Sequence, residues 1–157
     1  MDGRLIIGNE RVETEQKLIS ENPATLEPVG EAHVAPREIC DRAVAAAKEA
    51  YPGWRWLDPA EKRAIFNRAE NILARRASEA ARLITMEKGS PYAESLAVEV
   101  FGALQSLNYY GHNQGRLLRP RRAGHHTPLY FNKSGSFHFQ PLGPTLIISP
   151  WNFPFLI

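Results

Sequence analysis

Cysteine is all but missing from this chain: 157 residues hold a single thiol, Cys40. One thiol excludes an internal disulfide framework and any multi-thiolate metal site, and it points to a reducing compartment. Long apolar runs are missing as well, and no window approaches the roughly 18 residues of a membrane span. The opening stretch MDGRLIIGNERVETEQ carries acids early and has no extended apolar core, which argues against a secretory leader. There is no excess of charge of one sign. A net charge of +2 with 23% charged residues excludes the composition of a disordered or strongly polyanion-seeking chain. Internal repeats and low-complexity tracts are absent. The expectation is a soluble, cytoplasmic chain that engages neither membrane nor nucleic acid, and 43% hydrophobic residues allow one domain with a core.

Local order is plentiful. RLIIGNERV reads as two short strands around Gly8-Asn9, a pair that tolerates positive φ. Short extended pieces punctuated by Pro23, Pro28 and Gly30 follow. Ile39, Ala43, Ala47 and Ala50 then recur at the spacing of one helix face over residues 36–51, with Pro52-Gly53 as the stop and close helix approach suggested by the alanines. Asp58-Pro59-Ala60-Glu61 combines a capping acid, proline at the first helical position and glutamate at the third. The helix it opens carries Ile65, Ala69, Ile72 and Leu73 on one face. Ala80, Leu83 and Ile84 continue that face after a break near residues 76–78, and Gly89 is placed to end it. A further helix opens at Ser90-Pro91 with Leu96, Val100, Leu104 and Leu107 about a turn apart. LYFNKSGSFHFQ, residues 129–140, alternates around Ser134-Gly135 as a hairpin, and residues 145–149 form a short strand of the buried kind.

Several clusters invite a chemical reading. Arg116, Arg119, Arg121 and Arg122 lie in a basic link with His125 and His126. No aromatic interleaving accompanies it, so it reads as a solvated connector. The adjacent histidines point apart on an extended chain and lack a carboxylate or thiolate to complete a metal set. Cys40, beside Ile39, reads as a small core residue, as do Phe101, Tyr109, Tyr110 and the tryptophans. The remaining candidate is Ile148-Ser149-Pro150-Trp151-Asn152-Phe153-Pro154. An apolar strand running into a polar turn is where open α/β sheets hold ligands. The Asn152 amide is an uncharged donor suited to a developing oxyanion, and flanking prolines limit its freedom. On the residues alone, Asn152 fits either such a donor or a turn cap.

The segment PLGPTLIISPWNFP resembles the entry to the cofactor domain of the NAD(P)-dependent aldehyde dehydrogenase superfamily. NPATLEPVGEAHVA, DRAVAAAKEAYPGWRWLDPAEKRAIFNRAENIL, LITMEKGSPYAES and Tyr109-Tyr110 fall in that family's order and approximate spacing. The resemblance implies an α/β fold: amphipathic helices, a protruding β-hairpin and the first strand of an incomplete Rossmann-like parallel sheet. Residues 1–128 would be the helical part of the cofactor-binding domain with its leading strands. Residues 129–140 would be the hairpin used in homo-oligomer assembly, and residues 141–157 the start of the NAD(P)-binding sheet. Asn152 would donate to the thiohemiacetal oxyanion formed from an aldehyde substrate. Ile147, Ile148, Ser149, Pro150, Trp151 and Asn152 would border NAD or NADP, mainly through backbone.

Gly89-Ser90-Pro91 departs from the family's common Gly-Lys-Pro, at a position with no catalytic group. Family members are also about three times as long. Their nucleophilic cysteine and general-base glutamate have no counterpart here, and Cys40 falls in the wrong region. The expectation is an N-terminal fragment, inactive alone and frayed at its C-terminal end. A non-catalytic module that joins full-length subunits through the hairpin is the alternative.

Overall fold

The computed structural model describes residues 2–124 and 127–157. His125 and His126, the pair weighed above as metal ligands, lie outside the described residues. Two antiparallel ribbons come first. Strands β1 (Leu5–Ile7) and β2 (Glu10–Val12) pair across Gly8 and Asn9, with φ of 55° and 72°. Two successive positive φ values match the right-handed twist of the strands they join, as the Gly-Asn pair led one to expect. Strands β3 (Lys17–Glu21) and β4 (Pro28–His33) form the second ribbon, with a register shift at Ser20/Glu21.

Helix α1 (Arg37–Trp56) runs past the expected stop at Pro52. Proline in a helix interior forfeits one hydrogen bond, yet the chain stays helical until the next proline acts. Leu57 and Asp58 are extended, with ψ of 136° and 162°. Asp58 must be extended because it precedes Pro59, so it is Pro59 that ends α1. The alanine face is also not buried: Ala43, Ala47, Ala50 and Cys40 are exposed, and α1 buries no residue. The core role expected for Cys40 is therefore incorrect.

Helix α2 (Pro59–Arg75) begins with the expected capping box. The Asp58 carboxylate accepts from the Ala60 and Glu61 amides at 2.6 and 3.0 Å, and Glu61 accepts from the Asp58 amide at 3.0 Å. Helix α3 (Ala77–Lys88) follows the break at Arg76 and ends at Gly89 with φ 80°. A side chain at Gly89 would also strike Pro23, 2.6 Å from the added carbon, so conformation and packing both demand glycine. A short helix α4 (Tyr92–Glu94), a π-helical segment Ser95–Val100 and helix α5 (Phe101–Leu117) then form one continuous helical run.

The core sits between α3 and the π segment. Ala81, Ile84 and Val100 are buried, flanked by Leu73, Ala77, Ala80, Leu96 and Leu104. Helix α5 lies along α2, closest where buried Gly111 meets Phe66. Phe101, Tyr109, Tyr110, Trp54, Trp56 and Trp151 are 44–88% exposed, so the aromatics read as core lie outside it. No helix among the described residues is long and apolar enough to cross a membrane.

Beyond α5, the ribbon is placed differently from expectation. Its arms are β5 (Arg121–Ala123) and β6 (Gly135–Phe137), and Ser134-Gly135 is not its turn. A 3-10 turn at Pro128–Tyr130 occupies the connection, capped by the Thr127 hydroxyl. The basic link contributes a strand because its residues 121–123 are the ones in register with 135–137. Residues 145–149 form no ladder. A parallel strand needs a neighbour reached by a crossover, and the described strands pair only as three antiparallel ribbons.

Two substitutions test these contacts by urea unfolding. Gly111→Ala places a methyl 2.8 Å from Phe66 Cβ; it is expected to destabilise by about 1–3 kcal/mol despite better helix propensity. Asp58→Ala removes the capping box and is expected to cost about 1 kcal/mol.

Candidate functional site

The site is built on the last seventeen residues. From Pro141 the chain runs without regular secondary structure and bends at Pro144, tied to α1 where the Tyr51 hydroxyl donates to the Pro141 carbonyl at 3.2 Å. Ile147 and Ile148 are 73% and 82% exposed. No backbone N–H or C=O of residues 145–149 is hydrogen-bonded to another backbone group among the described residues, and a turn at residues 151–152 follows. The chain then folds back in a compact loop. The Ile157 amide donates to the Phe153 carbonyl at 3.4 Å, and the Ser149 hydroxyl donates to the Ile157 carbonyl. Asn152 sits at the turn of this loop. It is exposed, and no hydrogen bond engages its carboxamide among the described residues. Pro150 and Pro154 flank it, fixing φ and supplying no competing N–H. The residues expected to form the site, Ile147, Ile148, Ser149, Pro150, Trp151 and Asn152, thus form one contiguous stretch, exposed except at half-buried Pro150, with free main-chain groups at residues 147–149.

What holds the loop was not anticipated from the sequence. Glu99 is fully buried, and both its oxygens are engaged. Oε1 accepts from Lys88 Nζ at 2.8 Å, and Oε2 accepts from the backbone N–H of Phe155 at 3.0 Å. Lys88 Nζ lies 5.3 Å from the centroid of the Phe153 ring and 3.5 Å from Glu94 Oε1. The hydrogen bond that the Lys88 ammonium donates to Glu99, against an opposing effect of burial, holds the pKa of Lys88 above its ordinary value. Leu156 seats against Gly102, where an added side-chain carbon would lie 2.9 Å from Leu156 Cδ1.

The π-helical turn explains why an acid faces inward. Its wider turn brings Ser95, Glu99 and Val100 to the buried side together. Ser95 bonds the Ser90 and Thr85 hydroxyls at 2.8 and 3.0 Å, so the serine of Gly89-Ser90-Pro91 is a buried member of a polar network. A signal existed: Ser95 and Glu99 stand four apart, beside the Leu96 and Val100 stripe.

A groove of about 640 Å³ lies behind the loop. Leu73, Ala80, Leu83, Leu107, Pro154 and Phe155 are among the residues that line it, whereas Ile147, Ile148, Ser149, Pro150, Trp151 and Asn152 do not. It is therefore an apolar face under the loop and separate from the Asn152 amide. Cys40 lies on α1 with its thiol 3.8 Å from the Ala35 carbonyl. No cluster of three or more His, Cys, Asp or Glu that could hold a metal exists among the described residues. Because Asn152 is exposed and unbonded, Asn152→Ala is expected to change unfolding free energy by less than about 0.5 kcal/mol in a denaturant titration. A larger loss would show that the side chain works for the fold.

Comparison with known proteins bears directly on this geometry. The sequence model of the Aldehyde dehydrogenase family matches residues 11–157. A 1-pyrroline-5-carboxylate dehydrogenase of Bacillus thuringiensis (strain Al Hakam) is 38% identical over 157 residues, covering 99% of this chain and 30% of the relative. Among solved structures, an NADP-dependent enzyme of E. coli superposes with a TM-score of 0.86 at 26% identity, covering 98% of this chain and 31% of that one. An indole-3-acetaldehyde dehydrogenase of P. syringae, solved with NAD+ and IAA, gives a TM-score of 0.85 at 27% identity, again covering 98% and 31%. This chain spans about a third of the length of these relatives, and across nearly all of its own length it belongs to the aldehyde dehydrogenase family.

Proposed function

We propose that this chain forms the N-terminal part of an oxidoreductase that converts aldehydes to carboxylic acids with NAD or NADP. In this reading Asn152 donates its carboxamide N–H to the oxyanion of a cysteine-bound thiohemiacetal. The observation that carries it is the free, exposed amide of Asn152, held between two prolines on a loop anchored from behind by Glu99. An amide donor placed before the reaction loses nothing to reorganisation when charge develops on oxygen. The unpaired main-chain groups of Ile147, Ile148 and Ser149, running into Pro150 and Trp151, suit this stretch to border the cofactor. When bound, the nicotinamide supplies the hydride acceptor. The exposed Trp151 indole adds an apolar wall beside the amide. Residues 1–128, 129–140 and 141–157 keep their assigned parts in this reading, with the assembly ribbon extended to include β5.

Cys40 does not fit the nucleophile's role, because it sits on the exposed surface of α1. The 157-residue chain is therefore inactive alone. Supplied with NAD+ or NADP+ and an aldehyde panel that includes 1-pyrroline-5-carboxylate and indole-3-acetaldehyde, it is expected to form no reduced nicotinamide. Turnover that disappears in Cys40→Ser would overturn this. A chimera in which the chain replaces the matching third of the Bacillus relative tests the positive claim. There, Asn152→Ala is expected to lower kcat by about 100- to 1,000-fold with little change in KM.

A second reading has an observation of its own. Leu129, Phe131, Phe137, Phe139 and Leu142 are 50–99% exposed along one short stretch. Contiguous apolar exposure of this kind marks an association surface. It supports a non-catalytic module that joins full-length subunits, and co-purification with such subunits, without catalytic rescue, would favour it.

A further inference from the structure

We infer that Lys88 and Glu99 are a positioning pair whose task is to aim the Asn152 carboxamide. The inference rests on the proposed role of Asn152 and adds the device that gives that amide a direction. Asn152 has no hydrogen bond of its own among the described residues, so its orientation comes from the backbone on either side. On the N-terminal side no backbone–backbone hydrogen bond holds residues 145–149 among the described residues, and the tie there is the Ser149 hydroxyl, which donates to the Ile157 carbonyl. On the C-terminal side three contacts grip the loop within four residues of Asn152. The Lys88 ammonium lies over the Phe153 ring, Glu99 Oε2 accepts the Phe155 amide, and Leu156 seats on Gly102. Two of these three come from one ion pair.

Chemistry separates this pair from an ordinary tie between helices. A carboxylate with no exposure to water is costly, and an apolar pair of similar volume would hold α3 to the π segment as well or better. What an apolar pair cannot do is accept a main-chain N–H from a loop 56 residues away. The second oxygen of Glu99 is spent on that one bond. The direction of the acceptor, fixed from its other side by Lys88, sets where Phe155 lies and hence the angle of the turn at Asn152. Glu94, the other carboxylate near Lys88, stands farther off at 3.5 Å and is half exposed.

The test uses the full 157-residue chain, isotope-labelled for NMR. The readouts are exchange of the Phe155 amide and the two side-chain amide resonances of Asn152. The apolar double substitution Lys88→Met with Glu99→Leu removes the pair without stranding a buried charge. It is expected to speed Phe155 exchange about tenfold or more and to shift the Asn152 side-chain amide resonances, whose surroundings follow the turn that carries them, while amides of α5 keep their protection. Lys88→Arg, which keeps the charge, is expected to retain the wild-type behaviour of both. Unchanged Asn152 resonances in the double variant would overturn the inference. So would equal loss of protection in α5, which would make the pair a helix tie. Failure of the Asn152 role itself would show separately, as an unchanged kcat for Asn152→Ala in the chimera.

Discussion

A carboxylate sealed from water is tolerated only where each oxygen has a partner, and Glu99 meets that condition with two partners that are far apart in sequence. Lys88 ends α3, Glu99 belongs to the π segment, and Phe155 lies in the loop that carries Asn152. The three parts converge because the charge allows no other arrangement once it is enclosed. The wider π turn gathers Ser95, Glu99 and Val100 into a narrower arc than a regular α-helix would, and all three are buried. The C-terminal end, expected to fray, makes these contacts at residues 153–156, while residues 142 and 145–149 are exposed and without backbone partners among the described residues.

Outside that convergence the chain encloses little. Its accessible surface is 12265 Å², where a compact monomer of 17.6 kDa would expose about 7,900 Å². Leu142, Leu146, Ile148, Trp151, Phe131 and Leu129 each leave more than four-fifths of their surface in contact with solvent. Apolar exposure on this scale marks surfaces built to be covered. It agrees with a chain that spans about a third of the relatives it matches, and whose superposition on their solved structures is nonetheless close.

Local signals in the sequence were reliable wherever a few neighbouring residues decide the outcome. The Asp58 capping box, the Gly8-Asn9 turn, the Gly89 stop and the break at Arg76 all occur as their residues imply. Signals that need a distant partner were less so. Residues 129–140 alternate like a hairpin, yet β6 pairs with β5, because register depends on which strand is available and not on alternation alone. The alanine face of α1 has helical spacing and still meets solvent. Pro52 has the character of a stop, but Pro59, acting on Asp58, is the residue that ends the helix.

By itself, then, the amino-acid sequence determined the first ribbon, the start of α2, the end of α3, the family and the candidate amide at Asn152, since each is carried by residues close together in the chain. Only the tertiary structure decided what stands behind that amide. Glu99 is one acid among many until the wide turn at residues 95–100 rotates it inward. Its partnership with the Phe155 amide spans 56 residues, a distance across which no periodicity or motif carries information.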